Sequence, residues 1–403
     1  MELVLEGVKI KERKGHMKIL MLTPYFYPHT GGTEKYVKDL SIQLVKNGHD
    51  VTVIACNVPR AKKAKKEEVI DGVKIKRLPA IDFLYYLPVT LPFNLKMLEG
   101  YDLVHIHCPP HSFVRTVAGK VKTPVVTTFH CDITITGQFF GIPIPHFITN
   151  GFEALMNWYA DLFLPKADEI ISTSESYAST SPVIKALPRN IIPIGVYHDK
   201  LDESIKKQGI DPLKDKKKQI LFLGRLAANK GIKYLVAAMP KILAAHPDAK
   251  LIICGEGEEK SSIVSQIKSL GLEGNITFYG TVNLDTLSGL YATSSVFVLP
   301  SINRLEAFGI VQLEAMACYT PVVASDIPGV NSVMDIGKSG LLVPKQDPDA
   351  IADAVIKIIG SPEMIKQMGA RGRQLVETKY DWPIISKEVE AVYRKAIAKK
   401  KGK

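Results

Sequence analysis

Two carboxylates eight positions apart, Glu306 and Glu314, flank a Phe308-Gly309 step in the stretch RLEAFGIVQLEA, residues 304–315. At ~100° per residue, an unbroken helix would turn them onto different faces. The sequence changes character at Gly309. SSVFVLPS (294–301) is β-rich and apolar and is stopped by Pro300-Ser301, as a buried strand is. IVQLEAMA (310–317) carries Ile310, Leu313, Met316 and Ala317 at helical spacing. Glu306 is therefore expected in a loop, Gly309 near a helix start and Glu314 on the helix. A helix N-terminus offers unpaired N–H groups and a positive dipole end, and a glycine removes a side chain where a ligand approaches closely. This chemistry suits a phosphorylated ligand whose hydroxyls donate to the glutamates. A surface loop followed by a solvated helix fits the local pattern equally well.

GRLAANKG (224–231) supplies the complementary charge, with Arg225 after a strand pattern and Lys230 before a helix pattern. Two cations beside a helix N-terminus can hold a diphosphate without metal, and two exposed charges are the plain alternative. CGEGEE (254–259) lacks the third glycine of a dinucleotide fingerprint and reads as a tight strand-to-helix turn. His130 follows a strand pattern directly, and so do His105 and His107, of which alternation is expected to bury one and turn the other away. The chain has no HExxH, GxSxG or Walker A pattern, which argues against a zinc protease, a serine hydrolase and a P-loop ATPase.

The elements that position these residues alternate along the chain. Residues 17–56 read strand, loop, helix, strand, with Gly31-Gly32 just before a helix over about 33–46 that ends at Asn47-Gly48. DLVHIH (102–107), PVVTTFH (124–130), EIISTS (169–174) and IIPIGV (191–196) complete a first series. A charged stretch, 202–218, reads as a linker. A second series runs through QILFLGR (219–225), a helix at 231–246, AKLIICGEG (249–257), NITFYGTV (275–282), SVFVLPS and TPVVASD (320–326). Such alternation predicts two α/β domains with parallel sheets, whose ligands bind at the C-terminal strand ends. Gly31, Gly32, His107, His130, Arg225, Glu256 and Glu306 all fall there.

Composition agrees. The chain has 403 residues, room for two ordinary domains, with 46% hydrophobic and 23% charged residues. No run approaches ~18 apolar residues, so no spanning helix is expected, and residues 1–16 are too charged for a secretory signal and read as an extension. Five scattered cysteines form no CxxC, which fits a reducing cytoplasm and neither a disulfide framework nor a zinc site. The net charge of +11 is uneven: +5 over residues 1–195, +1 over 196–381 and +5 over the last 22. Nucleic acid, an anionic membrane and a solvated terminus are the partners open to such a tail, and no nucleic-acid signature favours the first.

TPYFYPHTGG, DLVHIH, TFH, GRLAANKG and EAFGIVQLEAMACYTPVVASDIPG stand in an order that, together with the E-x7-E spacing, resembles the family-4 retaining glycosyltransferases of the GT-B fold, from about Met17 to the C-terminus. The resemblance implies an N-terminal acceptor domain (17–196), a C-terminal nucleotide-sugar domain (197–381) and a last helix (382–403) crossing back to the first. It also implies roles. Glu306 would face the donor sugar's hydroxyls, with Phe308, Gly309, Ile310 and Val311 giving backbone contacts to sugar and phosphate. Glu314 would take the ribose, Arg225 and Lys230 the diphosphate, and Gly31-Gly32 would approach the same phosphates. His130 would contact the transferred sugar near its 6-position, and the segment at Val282 would cradle the base. No metal or other cofactor is implied. The chain departs from the family at Tyr319, usually a glycine at a position often requiring positive φ, at Asn331-Ser332, where a glutamate is common, and at Cys131.

The expected function is thus transfer of a hexose from a UDP-sugar, or from GDP-mannose, to a lipid-linked or polysaccharide acceptor. An epimerase of the same fold and a non-catalytic nucleotide-sugar module are the alternatives. The aromatic stretches 83–98 and 152–164, with the basic charge, suggest a cytoplasmic protein that visits an anionic membrane face, although 152–164 also suits core packing.

Overall fold

The computed structural model describes residues 15–29, 31–57, 64–83, 87–90, 94–109, 112–134, 138–139, 142–143 and 145–402. The chain forms two compact units: residues 1–128, 162–170 and 389–403, and residues 129–161 and 171–388. Of the extension 1–16, only Gly15 and His16 lie within the described residues, as do only parts of the stretch 83–98.

The first unit opens with β1 (Lys18–Leu22), α1 (Gly32–Lys46) and β2 (Asp50–Asn57), the strand–helix–strand order expected from the sequence. The strands β3 (Glu67–Ile70), β4 (Val73–Phe83), β5 (Leu87–Thr90), β6 (Leu103–Cys108), the helix α2 (Ser112–Val117) and β7 (Val125–Phe129) follow. Next along the chain, and in the second unit apart from the end of α3 and the start of β10, come the hairpin β8 (Gln138–Phe139) and β9 (Ile142–Pro143), α3 (His146–Phe163), β10 (Glu169–Ser172), α4 (Glu175–Ala178) and β11 (Asn190–Ile191). One sheet runs β11-β10-β7-β6-β1-β2-β4-β3, with β5 on β4. Its centre is parallel, with Ile19 opposite both Val51 and Leu103.

Strand β6 corrects the histidine expectation. His105 and His107 are both fully buried, with ring centroids 4.3 Å apart. Residues two apart on a strand share a face, and a central parallel strand is covered on both faces, so alternation cannot separate this pair. His105 is structural: its Nδ1 lies 2.7 Å from Tyr393 Oη and its Nε2 2.7 Å from Thr128 Oγ1.

The second series begins earlier than the charge pattern suggests. Residues 202–207 are not linker but lie in α5 (His198–Lys207), which buries Leu201, Ser204 and Ile205. The i, i+4 pair Leu201 and Ile205 gives the segment an apolar stripe that its lysines and acids mask in composition. There follow β12 (Lys217–Leu223), α6 (Ile232–Ala245), β13 (Lys250–Cys254), α7 (Lys260–Ser269), β14 (Ile276–Gly280), α8 (Leu284–Thr293), β15 (Ser294–Leu299), α9 (Ile310–Ala317), β16 (Val322–Ser325) and β17 (Gly340–Val343). Three helices close the chain: α10 (Pro348–Ile359), α11 (Pro362–Leu375) and α12 (Trp382–Lys401). The sheet is wholly parallel, in the order β14-β13-β12-β15-β16-β17. Ile220, Phe222, Val296 and Val298 of its centre pack with Leu235 and Met239 of α6 and with Val355 and Ile358 of α10.

The C-terminal helix is not a fraying tail. Its residues from Val389 onward belong to the first unit. There Tyr393 meets His105, and Asn47 Nδ2 donates to Glu390 at 2.6 Å. Lys395 donates to Glu169 at 2.7 Å and Lys400 pairs with Asp168 at 3.2 Å, so part of the basic tail is neutralised by buried carboxylates. Among the described residues no helix is long and apolar enough to cross a membrane.

Candidate functional site

The site starts where β12 and β15 end. After β15, Pro300 and Ser301 open a loop in which the Asn303 side chain accepts from Leu305 N (3.1 Å) and its carbonyl accepts from Glu306 N (3.2 Å). Glu306 is buried, accepts from Ser301 Oγ at 3.1 Å and pairs with the ammonium of Lys230. Lys230 comes from the short helical turn Ala228–Lys230 after β12. Gly231, at φ +66°, lets that turn sit against the loop: a Cβ there would run into the Pro300 carbonyl. Ile302 N donates to Asn229 O at 2.9 Å, which staples turn to loop. The two stretches singled out in the sequence thus meet, carboxylate to ammonium, across 76 residues.

Gly309 caps α9 in the left-handed conformation (φ 78°, ψ 63°), with no side-chain cap. A Cβ there would come within 2.7 Å of Leu299 Cδ2 and of Gln312 Nε2, so both φ and space require glycine. Gln312 Nε2 donates to the carbonyls of Phe308 (3.1 Å) and Val330 (3.3 Å), which fixes the approach to the helix. Buried Phe308 lies edge-on to Tyr380 at 6.3 Å. Ile310 and Val311 are half-buried at the N-terminus of α9, where backbone N–H groups and the helix dipole favour an anion.

Arg304 and Asp132, which the sequence reading did not single out, hold this loop from the side. Arg304 Nε donates to Asp132 Oδ2 at 2.9 Å and Nη1 to Thr180 Oγ1 at 2.8 Å, and the guanidinium stacks 4.4 Å from the Tyr177 ring centroid. Asp132 is buried and also accepts from Tyr177 Oη (3.0 Å) and Ser181 Oγ (2.5 Å). Such a charged, stacked and fully bonded arginine is held by several interactions at once. The only signal for it in the sequence was Arg304's place two residues before Glu306; its partner is 172 residues away.

The Asp132 segment carries His130 as well. His130 is buried, and burial depresses its pKa to about 3, so the imidazole is neutral at any ordinary pH. Cys131 between them is pushed up to about 12 by burial, with the charges of Asp132 and Glu306 adding to the shift, so it is a thiol and not a nucleophilic thiolate.

The remaining residues are placed as follows. Glu314, on α9, accepts from Tyr291 Oη at 3.1 Å and is half-buried. Arg225 is exposed after β12, with Nε 3.2 Å from Glu258 Oε2. Val282 is half-buried between β14 and α8. CGEGEE forms the turn from β13 to α7, where Glu256 binds Lys260 at 2.9 Å. Gly31 and Gly32 belong to the first unit, exposed at the start of α1. Of the departures, Tyr319 has φ 57°, the left-handed region expected of that position, and its ring lies 5.4 Å from the Arg373 guanidinium. Asn331 accepts from Ser176 Oγ (2.9 Å) and donates to Asp326 (2.8 Å).

The site thus joins a helix N-terminus capped by a left-handed glycine to a buried carboxylate paired with a lysine, at the strand ends of a parallel sheet. Residues 30–196 match the family described as Glycosyltransferase Family 4, and residues 203–375 that described as Glycosyl transferases group 1. The chain is 31% identical, over 94% of its length and 99% of the relative, to an uncharacterised glycosyltransferase of Methanocaldococcus jannaschii. It is 28% identical to the phosphatidyl-myo-inositol mannosyltransferase of Mycolicibacterium smegmatis, over 94% of this chain and 93% of that one. Among solved structures, sucrose-phosphate synthase of Thermosynechococcus elongatus superposes with a TM-score of 0.73 at 23% identity, covering 95% of this chain and 99% of that one. An Anabaena protein solved with UDP and glucose superposes with a TM-score of 0.67 at 18% identity, over 94% and 100% of the two chains. The chain belongs to the family-4 glycosyltransferases of the GT-B fold, and it is a glycosyltransferase enzyme.

Proposed function

We propose that this enzyme transfers a hexose, with retention of anomeric configuration and without metal, from a nucleoside diphosphate sugar to a lipid-linked acceptor. The observation that carries the reading is the Lys230–Glu306 pair beside the Gly309-capped start of α9. Departure of the nucleotide leaves negative charge on the diphosphate and positive charge on the sugar. Lys230 and Arg225, together with the first N–H groups of α9, meet the former, and Glu306 accepts from the sugar's hydroxyls. Arg225 exchanges Glu258 for the diphosphate when the donor arrives. Glu314 takes the ribose and the Val282 segment the base. Neutral His130 offers a hydrogen bond near the sugar's 6-position without adding charge.

UDP-hexose is the donor of first choice: the Anabaena neighbour was solved with UDP-glucose as well. GDP-mannose is the second, given the mannosyltransferase relatives. For the acceptor, α3 presents Phe147, Ile148, Leu155, Trp158 and Leu162 to solvent, between 41% and 76% exposed. Leu155, Trp158 and Leu162 recur at three- and four-residue spacing, one apolar face of the kind that rests on a bilayer interface. The relative's phosphatidylinositol acceptor fits such a surface.

Incubation with UDP-glucose, UDP-N-acetylglucosamine and GDP-mannose, with and without phosphatidylinositol vesicles and soluble sugar acceptors, tests the reading. Acceptor-dependent nucleotide release that survives EDTA, with an α-linked product, is expected. An isomerised donor sugar without acceptor would make the enzyme an epimerase, and binding without turnover a sensor module. Co-sedimentation with anionic vesicles, lost in a Leu155→Ser/Trp158→Ser variant, is expected of the lipid acceptor. Turnover of a soluble acceptor by a protein that ignores vesicles would overturn it.

A further inference from the structure

The second unit has a cavity of about 280 Å³ at the opposite end of its sheet from Glu306. It is lined by Pro212, Leu213, Lys214, Lys216 and Lys218 on the way into β12, by Ser295 at the start of β15, and by residues of α10 and α11 from Ile359 to Lys366. Arg225 and Ser301 follow the far ends of the same two strands. At ~3.3 Å per residue, the seven residues of β12 put roughly 20 Å between the ends, so this is not part of the donor site.

The lining has one sign of charge. Lys214, Lys216, Lys218 and Lys366 line the cavity and no acidic side chain does. Lys214 and Lys218 are held by Asp211 (2.9 Å) and Asp248 (3.0 Å) in exposed pairs. Lys216 and Lys366 have no carboxylate partner among the described residues. Pro362 opens α11, so the positive end of that helix is also at the cavity; its first-turn Glu363 accepts from Gln367 at 2.8 Å. Leu213, Ile359, Pro362 and Ile365 supply an apolar wall. The volume sits at the lower end for small-ligand pockets.

Lys216 also leads inward. Its Nζ donates to Thr320 Oγ1 at 2.8 Å, Thr320 Oγ1 donates to the Tyr291 carbonyl at 2.5 Å, and Tyr291 Oη donates to Glu314 Oε2 at 3.1 Å. Burial depresses the Lys216 amine to about 7, with the neighbouring Cys318 opposing the shift, so a lysine without a carboxylate partner stands ready to be held in its charged form by an arriving anion.

We propose that this cavity is a second anion site, taking a small phosphomonoester with a short apolar or ring portion, and that Lys216, Thr320 and Tyr291 couple its occupancy to Glu314. An anion there holds Lys216 as the ammonium, strengthens its hydrogen bond to Thr320 and fixes the tyrosine that orients Glu314. The coupling rests on Glu314 binding the nucleotide, as proposed above; the site itself does not.

Calorimetry of the full chain with phenyl phosphate and inorganic phosphate tests it. Saturable binding of phenyl phosphate, tighter than inorganic phosphate, is expected. It should weaken at least tenfold in Lys216→Met and severalfold in the exposed Lys366→Gln, and persist in Arg225→Ala. Binding lost in Arg225→Ala but unchanged in both lysine variants would assign the anion to the donor site and overturn the proposal, as would absence of saturable binding. Lys366 is on the surface, so its variant remains informative if Lys216→Met fails to fold. Phenyl phosphate at saturation should tighten UDP binding about fivefold, and UDP should tighten phenyl phosphate by the same factor. Independent binding of the two would remove the coupling. Failure of UDP to bind at all would overturn the donor reading and leave the cavity to be judged by phenyl phosphate alone.

Discussion

Among the helices that start at a glycine with no side-chain cap, α1 and α9 have starts that are built differently. Gly31, before α1, is exposed and in extended backbone (φ −170°), a conformation open to any residue. What a Cβ would meet there is the Glu34 carboxylate, the far end of a flexible side chain. Gly309, before α9, is buried and left-handed, wedged between Leu299 and Gln312, and followed in space by Gly329 (φ 92°), whose missing Cβ makes room for the Ala307 carbonyl. Around Gly309 stand Lys230, Glu306 and the Arg304–Asp132 pair, already bonded to one another or to their neighbours. The lesson is that glycine at a helix start serves two separable ends. At Gly31 it clears space; at Gly309 it sets the backbone angle on which a pre-formed site depends.

The contrast can be tested by changing what surrounds each glycine. The largest effect is expected from acid. His130 has a folded pKa of about 3 against 6.5 unfolded, so the unfolded chain binds the extra proton between those values. Stability from this group is complete above pH 6.5 and is lost as pH falls toward 3, by up to about 4 kcal/mol. His130→Gln should flatten that part of the stability profile in urea titrations from pH 7 to 4; an unchanged slope would mean the imidazole is not held neutral. Next comes Arg304→Ala, which strands the Asp132 carboxylate. A loss of about 3 kcal/mol in denaturant titration is expected, with kcat falling more than the KM for donor rises. Stability within 0.5 kcal/mol, on the order of a surface change, would show the clamp to be idle.

Gly309→Ala forces a Cβ into an occupied, left-handed position. About 2 kcal/mol of stability should go, and turnover should drop at least tenfold. Gly31→Ala is the smallest: about 0.5 kcal/mol or less by thermal unfolding, with any loss appearing in the donor KM. Equal effects at the two glycines would dissolve the distinction.

Much of the second unit's site was legible in the sequence because it is local. The end of β15, the start of α9 and the turn bearing Lys230 follow from short-range patterns that a few residues carry, and the left-handed backbone at Tyr319 from the family resemblance. Tyr319 also shows what pattern hides: a tyrosine stands where glycine is the usual solution, beside the Arg373 guanidinium. What escaped notice is long-range. The Lys230–Glu306 pairing joins residues 76 apart, and the Asp132–Arg304 bond residues 172 apart, distances over which periodicity says nothing. The helix at 198–207 was obscured by charge, since two apolar residues suffice to seat an amphipathic turn. The histidines of β6 were misjudged by a geometric rule applied one residue out of step.

Helix α12 has a bearing on how the enzyme is made. Its later half completes the first unit, yet it leaves the ribosome long after that unit's sheet. Tyr393 reaches His105 across 288 residues, and Lys395 reaches Glu169 across 226. At 5–20 residues per second, the gap between Glu169 and Lys395 is about 10–45 s of synthesis. Throughout that interval Asp168 and Glu169 wait without these lysines, while residues 171–388 of the second unit are being produced. The nascent first unit is therefore an unfinished species with a defined lifetime, and a stop codon placed before residue 389 would make that species permanent.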